Sequence, residues 1–500
     1  VSEHASTGIR RLLTAGMALP LLTAAGCAAG GDAETARPLT VQPEWIDGLR
    51  VDERSLDHEG LRISTAHPVV PGARPFSTEI RTTMAEEQTA FITARNGDDE
   101  ASLEQEAEFL VAANDVLGAR ITTRRDGGGD RPGVSATTRW YDASSGEVLP
   151  WTALFGGAEA VDAAAAEVAR LLHEEEGVEL DDQPEGLGAA AVAASPAEPP
   201  SEPIDLPAEE AWDLAEELDG SPLENIGFAD TGALVVEFPG AGGPADGGEG
   251  GGERAVALDA DTARPLLSAF GERAMEAATT EEKKVDLGRP GADGDPAHTL
   301  DCDRVPCVAL TFDDGPGEHT ERLLDELAAF SAKATFFVLG SATEEMPEVV
   351  ARTAEEGHEV ASHTWNHDDL TAASGSAVAA DLKRTAEAIE KAAGSAPRSM
   401  RPPYGAVDDA TLKAIDHPVI MWDVDTFDWR HRDTAKIIRT ADKETGPGSI
   451  VLLHDIHEPT VDAVPEVLRR LHGRGYHFVT VAELFADTEL KPGTVYRRRG

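Results

Sequence analysis

The last third of the chain alternates short apolar runs with amphipathic segments. Seven apolar runs stand near 307–312, 334–339, 359–362, 398–400, 419–424, 449–453 and 477–481. Between them, stretches such as 321–330 and 376–393 repeat apolar residues at helical spacing. Strand and helix in alternation predict a parallel α/β arrangement. The runs Cys-Val-Ala-Leu-Thr-Phe at 307–312 and Ile-Val-Leu-Leu at 450–453 are nearly uninterrupted, as strands covered on both faces should be. The expected architecture is a distorted, incomplete seven-stranded (β/α) barrel over 301–490, with a tail at 491–500.

Upstream, 41–275 reads as a separate α+β domain. A strand-turn-strand at 139–149 turns at Ser144-Ser145-Gly146, a helix follows at 158–174, and an extended pair stands at 233–238 and 255–258. Flexible insertions are expected at 184–206, rich in Ala, Pro and Glu, and at 239–253, rich in Gly. The glycines at 247–252 lack the lysine and the strand-loop-helix setting of a phosphate-binding loop. An acidic, Gly/Pro-containing linker is expected at 276–300.

Arg10 and Arg11 precede an apolar stretch at 12–26, shorter than the roughly 20 residues a helix needs to span a bilayer. That pattern predicts an export leader over 1–27, followed by a tether at 28–40. Ala25-Gly26-Cys27 resembles a bacterial lipobox, in which cleavage precedes the cysteine and a diacylglycerol occupies its sulfur; Ala24 stands where the pattern usually has Leu. The expectation is an extracellular protein, lipid-anchored to the membrane through Cys27.

Composition narrows the partners. The 500 residues suffice for two or three folded units. With 92 acidic against 43 basic residues, the formal charge of −49 repels phosphate and argues against nucleic acid. A monomer is expected. Of three cysteines, Cys302 and Cys307 remain once Cys27 is lipidated, and outside the cytoplasm their closeness favours a disulfide. A metal pair is the weaker reading, because no second Cys or His pair stands at zinc-finger spacing.

Polar clusters follow the apolar runs. Asp313-Asp314 follows the first, 363–367 the third, 401–405 the fourth, 425–429 the fifth and His454-Asp455 the sixth. In an α/β barrel the carboxyl ends of the strands share one face, where active sites are built. Paired acids, three histidines and an arginine on that face suggest a hydrolytic metal site. Each cluster alone is weak: Asp-Asp recurs at 98–99, 181–182, 368–369 and 408–409, and there are 15 histidines. The conjunction carries the inference. His363 and His367, one turn apart if their segment is helical, could point two imidazoles at one ion. A carboxylate from the first strand would complete three ligands and leave a position open for water.

The order Thr311-Phe312-Asp313-Asp314-Gly315-Pro316, His363-Thr364-Trp365-Asn366-His367, Arg401-Pro402-Pro403-Tyr404-Gly405, Asp425-Thr426-Phe427-Asp428-Trp429 and Leu452-Leu453-His454 resembles the five motifs of the NodB-homology polysaccharide deacetylases, carbohydrate esterase family four. The resemblance implies that Asp314, His363 and His367 hold a divalent ion, usually zinc, with cobalt as a substitute. It makes Asp313 the general base, oriented and kept ionised by Arg401. Tyr404 would offer its backbone N–H to the oxyanion, and Trp429 and Leu452 would wall the sugar pocket. His454 would be the general acid, tuned by a carboxylate of the fourth motif, Asp428 first and Asp425 in reserve. Asp368 and Asp423 depart from the residues common at their flanking positions and change no role.

The stretch Tyr141-Asp142-Ala143-Ser144-Ser145-Gly146-Glu147-Val148-Leu149-Pro150, followed by Leu154-Phe155, resembles an extracellular domain that precedes some peptidoglycan deacetylases and occurs in lysozyme-sensing anti-sigma factors. The activity implied is removal of N-acetyl groups from a glycan, cell-wall peptidoglycan first. Alternatives are a chitooligosaccharide or exopolysaccharide deacetylase, an O-acetyl xylan esterase, and, from another class, a wall-anchored sensing or binding protein. No Gly-x-Ser-x-Gly elbow supports a serine hydrolase.

Overall fold

The computed structural model describes residues 38–41, 45–58, 60–95, 100–127, 133–176, 205–238, 254–281, 284–287 and 300–500. The predicted leader with Cys27, the tether up to residue 37, the insertion at 239–253 and most of that at 184–206 lie outside them. No helix among the described residues is long and apolar enough to cross a membrane.

Strand Cys307–Asp313 is buried along its whole length and organises the second domain. It pairs in parallel with Thr335–Val338 on one side and Ile450–His454 on the other. The sheet continues to Glu359–Ser362 beyond the first and Val424–Asp425 beyond the second, and His477–Phe478 pairs with its start. Period-two alternation explains the uninterrupted apolar run. Val308, Leu310 and Phe312 pack with Leu323, Leu324 and Leu327 of helix Thr320–Ala329 and with Val467, Leu468 and Leu471 of helix Val464–Gly473. Ala309 faces the other way, toward Phe337, Ala361, Ile420 and Ile450. Each fully buried Leu or Phe contributes about 1.5–3 kcal/mol. Because the strands are parallel, their carboxyl ends come to one edge, where register sets Asp313 beside His454.

Two expectations are corrected. Seven regular strands do not close into a barrel: the 398–400 run supplies only single bridges from Met400 to Ser362 and Val419, and the 419–424 run splits into Val419–Ile420 and Val424–Asp425. The result is a six-stranded parallel sheet plus a two-stranded one. Asp423 interrupts the long run by turning its carboxylate to the Ile450 N–H and the Ser449 hydroxyl. Nor is 491–500 a tail. Val495–Tyr496 pairs with Val419–Ile420, Tyr496 packs on Phe485, and Arg499 N–H bonds to the Gly448 carbonyl.

The amino-terminal part of the described chain combines a sheet with helices. A six-stranded sheet runs through Arg50–His58, Leu61–Val69, Ala101–Ala113, Val116–Gly127, Gly133–Asp142 and Glu147–Pro150. Its last hairpin is the expected strand-turn-strand, closed where Asp142 accepts the Ser144 N–H and hydroxyl. The helix spans Ala158–Glu176, and the second pair is Leu234–Phe238 with Arg254–Leu258, joined by Ile226–Phe228. The linker starts later than expected: helix Ala269–Thr279, capped by Ser268, and Val285, bridged to Asn114, still belong to this domain.

The two domains meet along helix Arg74–Ala94. Its Thr82 hydroxyl accepts the Asp301 N–H, Thr89 bonds His477, and Glu79 and Glu86 hold Arg304. A Cys302–Cys307 disulfide lies just after this contact, at the entry to the central strand. Arg81 donates to Glu483 at 3.2 Å, with side chains only 6% and 9% exposed. Glu483 also closes the capping box of helix Val481–Leu484 by accepting the Thr480 N–H. Removing one partner of such a pair strands the other charge, so Glu483→Ala is expected to lower stability by about 3–5 kcal/mol in equilibrium unfolding. A loss below about 0.5 kcal/mol would assign the pair no part in holding the domains together.

Candidate active site

Three donors converge at the edge of the sheet. Asp314 lies just beyond the central strand, and His363 and His367 follow strand Glu359–Ser362. Their ligating atoms lie within 4.8 Å of one another, with Asp314 Oδ1 at 3.4 Å from His363 Nε2 and 3.3 Å from His367 Nε2. The segment 363–367 is a loop rather than a helical turn, with Thr364 at φ 70° and His367 at φ 64°. This left-handed path brings the imidazole centroids to 5.1 Å. His363 Nδ1 meets the Arg401 carbonyl at 2.7 Å, which fixes the tautomer with Nε2 free to ligate. Asp314 Oδ1 is buried and accepts no hydrogen bond from the described residues. A buried orphan oxygen beside two aimed imidazoles fits a divalent cation. Burial works against charge on Asp314, but His363, His454 and His367 around it hold its pKa down at about 2.

Beneath this cluster lies Arg401, 0% exposed. It uses four of its five N–H groups: Nη1 donates to Asp313 Oδ1 at 2.7 Å and Thr311 Oγ1 at 2.8 Å, Nε to Ile420 O and Nη2 to Met421 O, both at 3.0 Å. The Phe337 ring supports the guanidinium at 4.1 Å. Burial lowers the Arg401 pKa, and Asp313 opposes that shift. Asp313 is thereby pinned, with its second oxygen 3.9 Å from His363 Nε2.

The opposite wall carries His454. Its Nδ1 meets Asp428 Oδ1 at 2.8 Å, while Asp428 Oδ2 accepts the His454 N–H at 2.7 Å and the Thr460 hydroxyl at 2.8 Å. Burial opposes protonation of His454, but the hydrogen bond and charge of Asp428, aided by Asp313 and Asp314, raise its pKa to about 9. The reserve carboxylate is engaged elsewhere: Asp425 accepts the Phe427 N–H at 2.8 Å and a side-chain bond from Trp429. Burial raises the Asp425 pKa.

Between the walls, Tyr404 is 72% exposed and sets its ring edge-on to His367 at 4.5 Å. Trp429 is 47% exposed at the rim. Leu452, two residues before His454 on the same strand face, is buried beneath it. Backbone conformation marks the same region. Of eight non-glycine residues with positive φ among the described residues, Asp314, Thr364, His367, Tyr404, Phe427 and Arg432 surround this site. Such conformations are strained, and they persist where packing over-determines them, commonly at functional sites.

Sequence reasoning missed the part played by Asp455. Fully buried, it accepts the Thr320 hydroxyl, which in turn accepts the Gly317 N–H at 2.8 Å. A Cβ at Gly315 would run into its carboxylate. Asp455 thus braces the loop that presents Asp313 and Asp314, and burial pushes its pKa up to about 7. An acid directly after His454 was the available signal.

A profile of the polysaccharide deacetylase family matches residues 301–417. The peptidoglycan-N-acetylglucosamine deacetylase PgdA of Listeria monocytogenes is 42% identical over 190 residues, which cover 38% of this chain and 41% of that protein. The peptidoglycan-N-acetylmuramic acid deacetylase PdaC of Bacillus subtilis is 39% identical over 178 residues, covering 35% and 38%. The match therefore spans well under half the length of either relative. A chitin deacetylase of a Pestalotiopsis species is 34% identical over 235 residues, 45% of this chain and 76% of that protein. Sharing this sequence over three quarters of such a relative, the chain belongs to the polysaccharide deacetylase family.

Proposed function

We propose that the chain is a metal-dependent hydrolase that removes N-acetyl groups from the amino sugars of cell-wall peptidoglycan. The observation that carries the reading is the pairing, across neighbouring strand ends, of an Arg401-held Asp313 beside the three-donor cluster with an Asp428-held His454 opposite. Two relatives named as peptidoglycan deacetylases support the substrate class. An exported chain, lipid-anchored through Cys27 and tethered by the residues after it, would work at a high effective concentration near wall glycan.

In this reading Asp314, His363 and His367 hold the ion, with zinc favoured and cobalt accepted. When bound, it supplies Lewis acidity, lowering the pKa of a water toward about 7 and polarising the acetamide carbonyl. Asp313 takes the water's proton, held in position by the hydrogen bond from Arg401. The Tyr404 backbone N–H donates to the developing oxyanion, a contact of the kind worth about 2.7–4 kcal/mol. His454 delivers a proton to the departing amine, and Asp428 keeps it protonated at neutral pH. Trp429 and Leu452 confine the sugar.

The purified protein is expected to release acetate from N-acetylated peptidoglycan, to stop on chelation and to recover with zinc or cobalt. Asp313→Asn should cut turnover by about 100-fold or more with metal content intact, whereas His363→Ala should lose metal. Full activity in protein shown metal-free by elemental analysis would overturn the metal mechanism. Acetate released from chitin oligomers alone would move the substrate to the neutral glycans.

The raised His454 pKa predicts a pH signature. The protonated imidazole is complete below its ordinary value of 6.5 and is lost as pH rises through about 9. Asp428→Asn removes the anion that raises it, so the alkaline limb of kcat should move to lower pH. In metal-free protein, the His454 resonance should titrate near 9 and fall in the variant. An unmoved limb would detach Asp428 from the acid.

A further inference from the structure

One rim of the site contrasts with the chain's charge of −49. The short helix Asp428–His431 and the residue after it present Trp429, Arg430, His431 and Arg432, all exposed. Phe427, 40% exposed, lies 6.3 Å from the Trp429 ring and 6.4 Å from that of His431. The Arg432 backbone is left-handed, at φ 48°, and its side chain turns back, Nε to the Trp429 carbonyl at 3.3 Å and Nη1 to His457 Nδ1 at 2.8 Å. His457 stacks 5.9 Å from the ring of His454. A continuous row thus runs from Arg432 through His457 to His454, with Arg430 exposed beside it in sequence.

The neighbouring carboxylates are mostly committed. Asp428 is buried on His454 and Thr460, Asp425 serves Phe427 and Trp429, and Asp433 caps helix Thr434–Glu444. Glu458, next to His457, is the exposed acid of the group. Arg432 keeps Nη2, and Arg430 its whole guanidinium, without a partner among the described residues.

A neutral acetamido sugar asks for an aromatic face and hydroxyl partners, not for arginines. A strongly acidic protein repels an anionic polymer except where a local cationic patch reverses the field. We propose that Arg432, Arg430 and the outward N–H of His457 form a subsite for a carboxylate on the sugar next to the one deacetylated, whose ring faces Trp429. This rests on the deacetylase reading above and narrows its substrate to glycans with acidic substituents. Arg suits the task, since its planar fork matches a carboxylate.

The test compares two soluble oligomers: neutral N-acetylglucosamine chains, and chains in which a lactyl-ether sugar with a free carboxylate alternates. Acetate release and calorimetric binding are measured on the metal-loaded protein at low and high salt. The wild type should favour the acidic oligomer by about tenfold in kcat/KM and in Kd, less at high salt. Arg430→Gln/Arg432→Gln should bring that ratio toward one, mainly through KM. Arg430→Gln alone, which breaks no hydrogen bond of the fold, should lower it part of the way. Equal preference in the wild type, or a ratio unchanged in both variants, overturns the subsite while leaving the deacetylase reading standing. Preferential binding of the acidic oligomer without acetate release from either upholds the subsite and overturns the activity.

Discussion

A guanidinium with no solvent exposure must find its partners inside the protein, and the partners of Arg401 come from two separate stretches of chain. Thr311 and Asp313 belong to the central strand, Ile420 to a short outer one, and Met421 to the segment after it. Leaving any of these bonds unmade would cost the desolvation of a charged group, so the arginine fixes the relative height of the strands it touches. The Arg401 carbonyl, through His363 Nδ1, also orients the His363 imidazole. One buried residue therefore orients Asp313, fixes the tautomer of His363 and ties the central strand to the segment at Ile420 and Met421.

The opposite half is built on the same logic with the sign reversed. Asp428 is the buried ion, and His454 and Thr460 are drawn to it. Parallel pairing aligns Asp313 with His454, so the two buried charges face one another across a single ladder step. Like charges at such a distance would repel, whereas here an arginine-held carboxylate faces an aspartate-held imidazole. Burial opposes protonation of His454, and the hydrogen bond and charge of Asp428 outweigh it. Helix Arg74–Ala94 packs at the other end of the sheet, where it meets the segment leading into the central strand and the cap of helix Val481–Leu484.

Much of this was legible because chemistry-bearing residues follow strand ends, and a fully buried strand announces itself as an unbroken apolar run. The Asp313, His363, Arg401, Asp428 and His454 clusters were found that way. The loop path of 363–367 was not legible, because left-handed backbone at Thr364 and His367 is imposed by tertiary packing, not favoured by those residue types. Helix Arg74–Ala94 was not read because Ser77, Arg81, Thr82 and Thr83 occupy buried positions, which blurs the apolar stripe. Strand Arg50–His58, mostly exposed and charged, carried almost no pattern. Val495–Tyr496, two residues long, is below the length at which alternation can be recognised.

In the proposed reaction the Arg401-held Asp313 and the Asp428-held His454 act together on the acetamido groups of wall glycan. This is tested most directly by mass spectrometry of muropeptides from two otherwise identical strains, one carrying the intact chain and one Asp313→Asn. De-N-acetylated amino sugars are expected in the first and their loss in the second, at equal protein level. Identical muropeptide profiles in the two strains would contradict it.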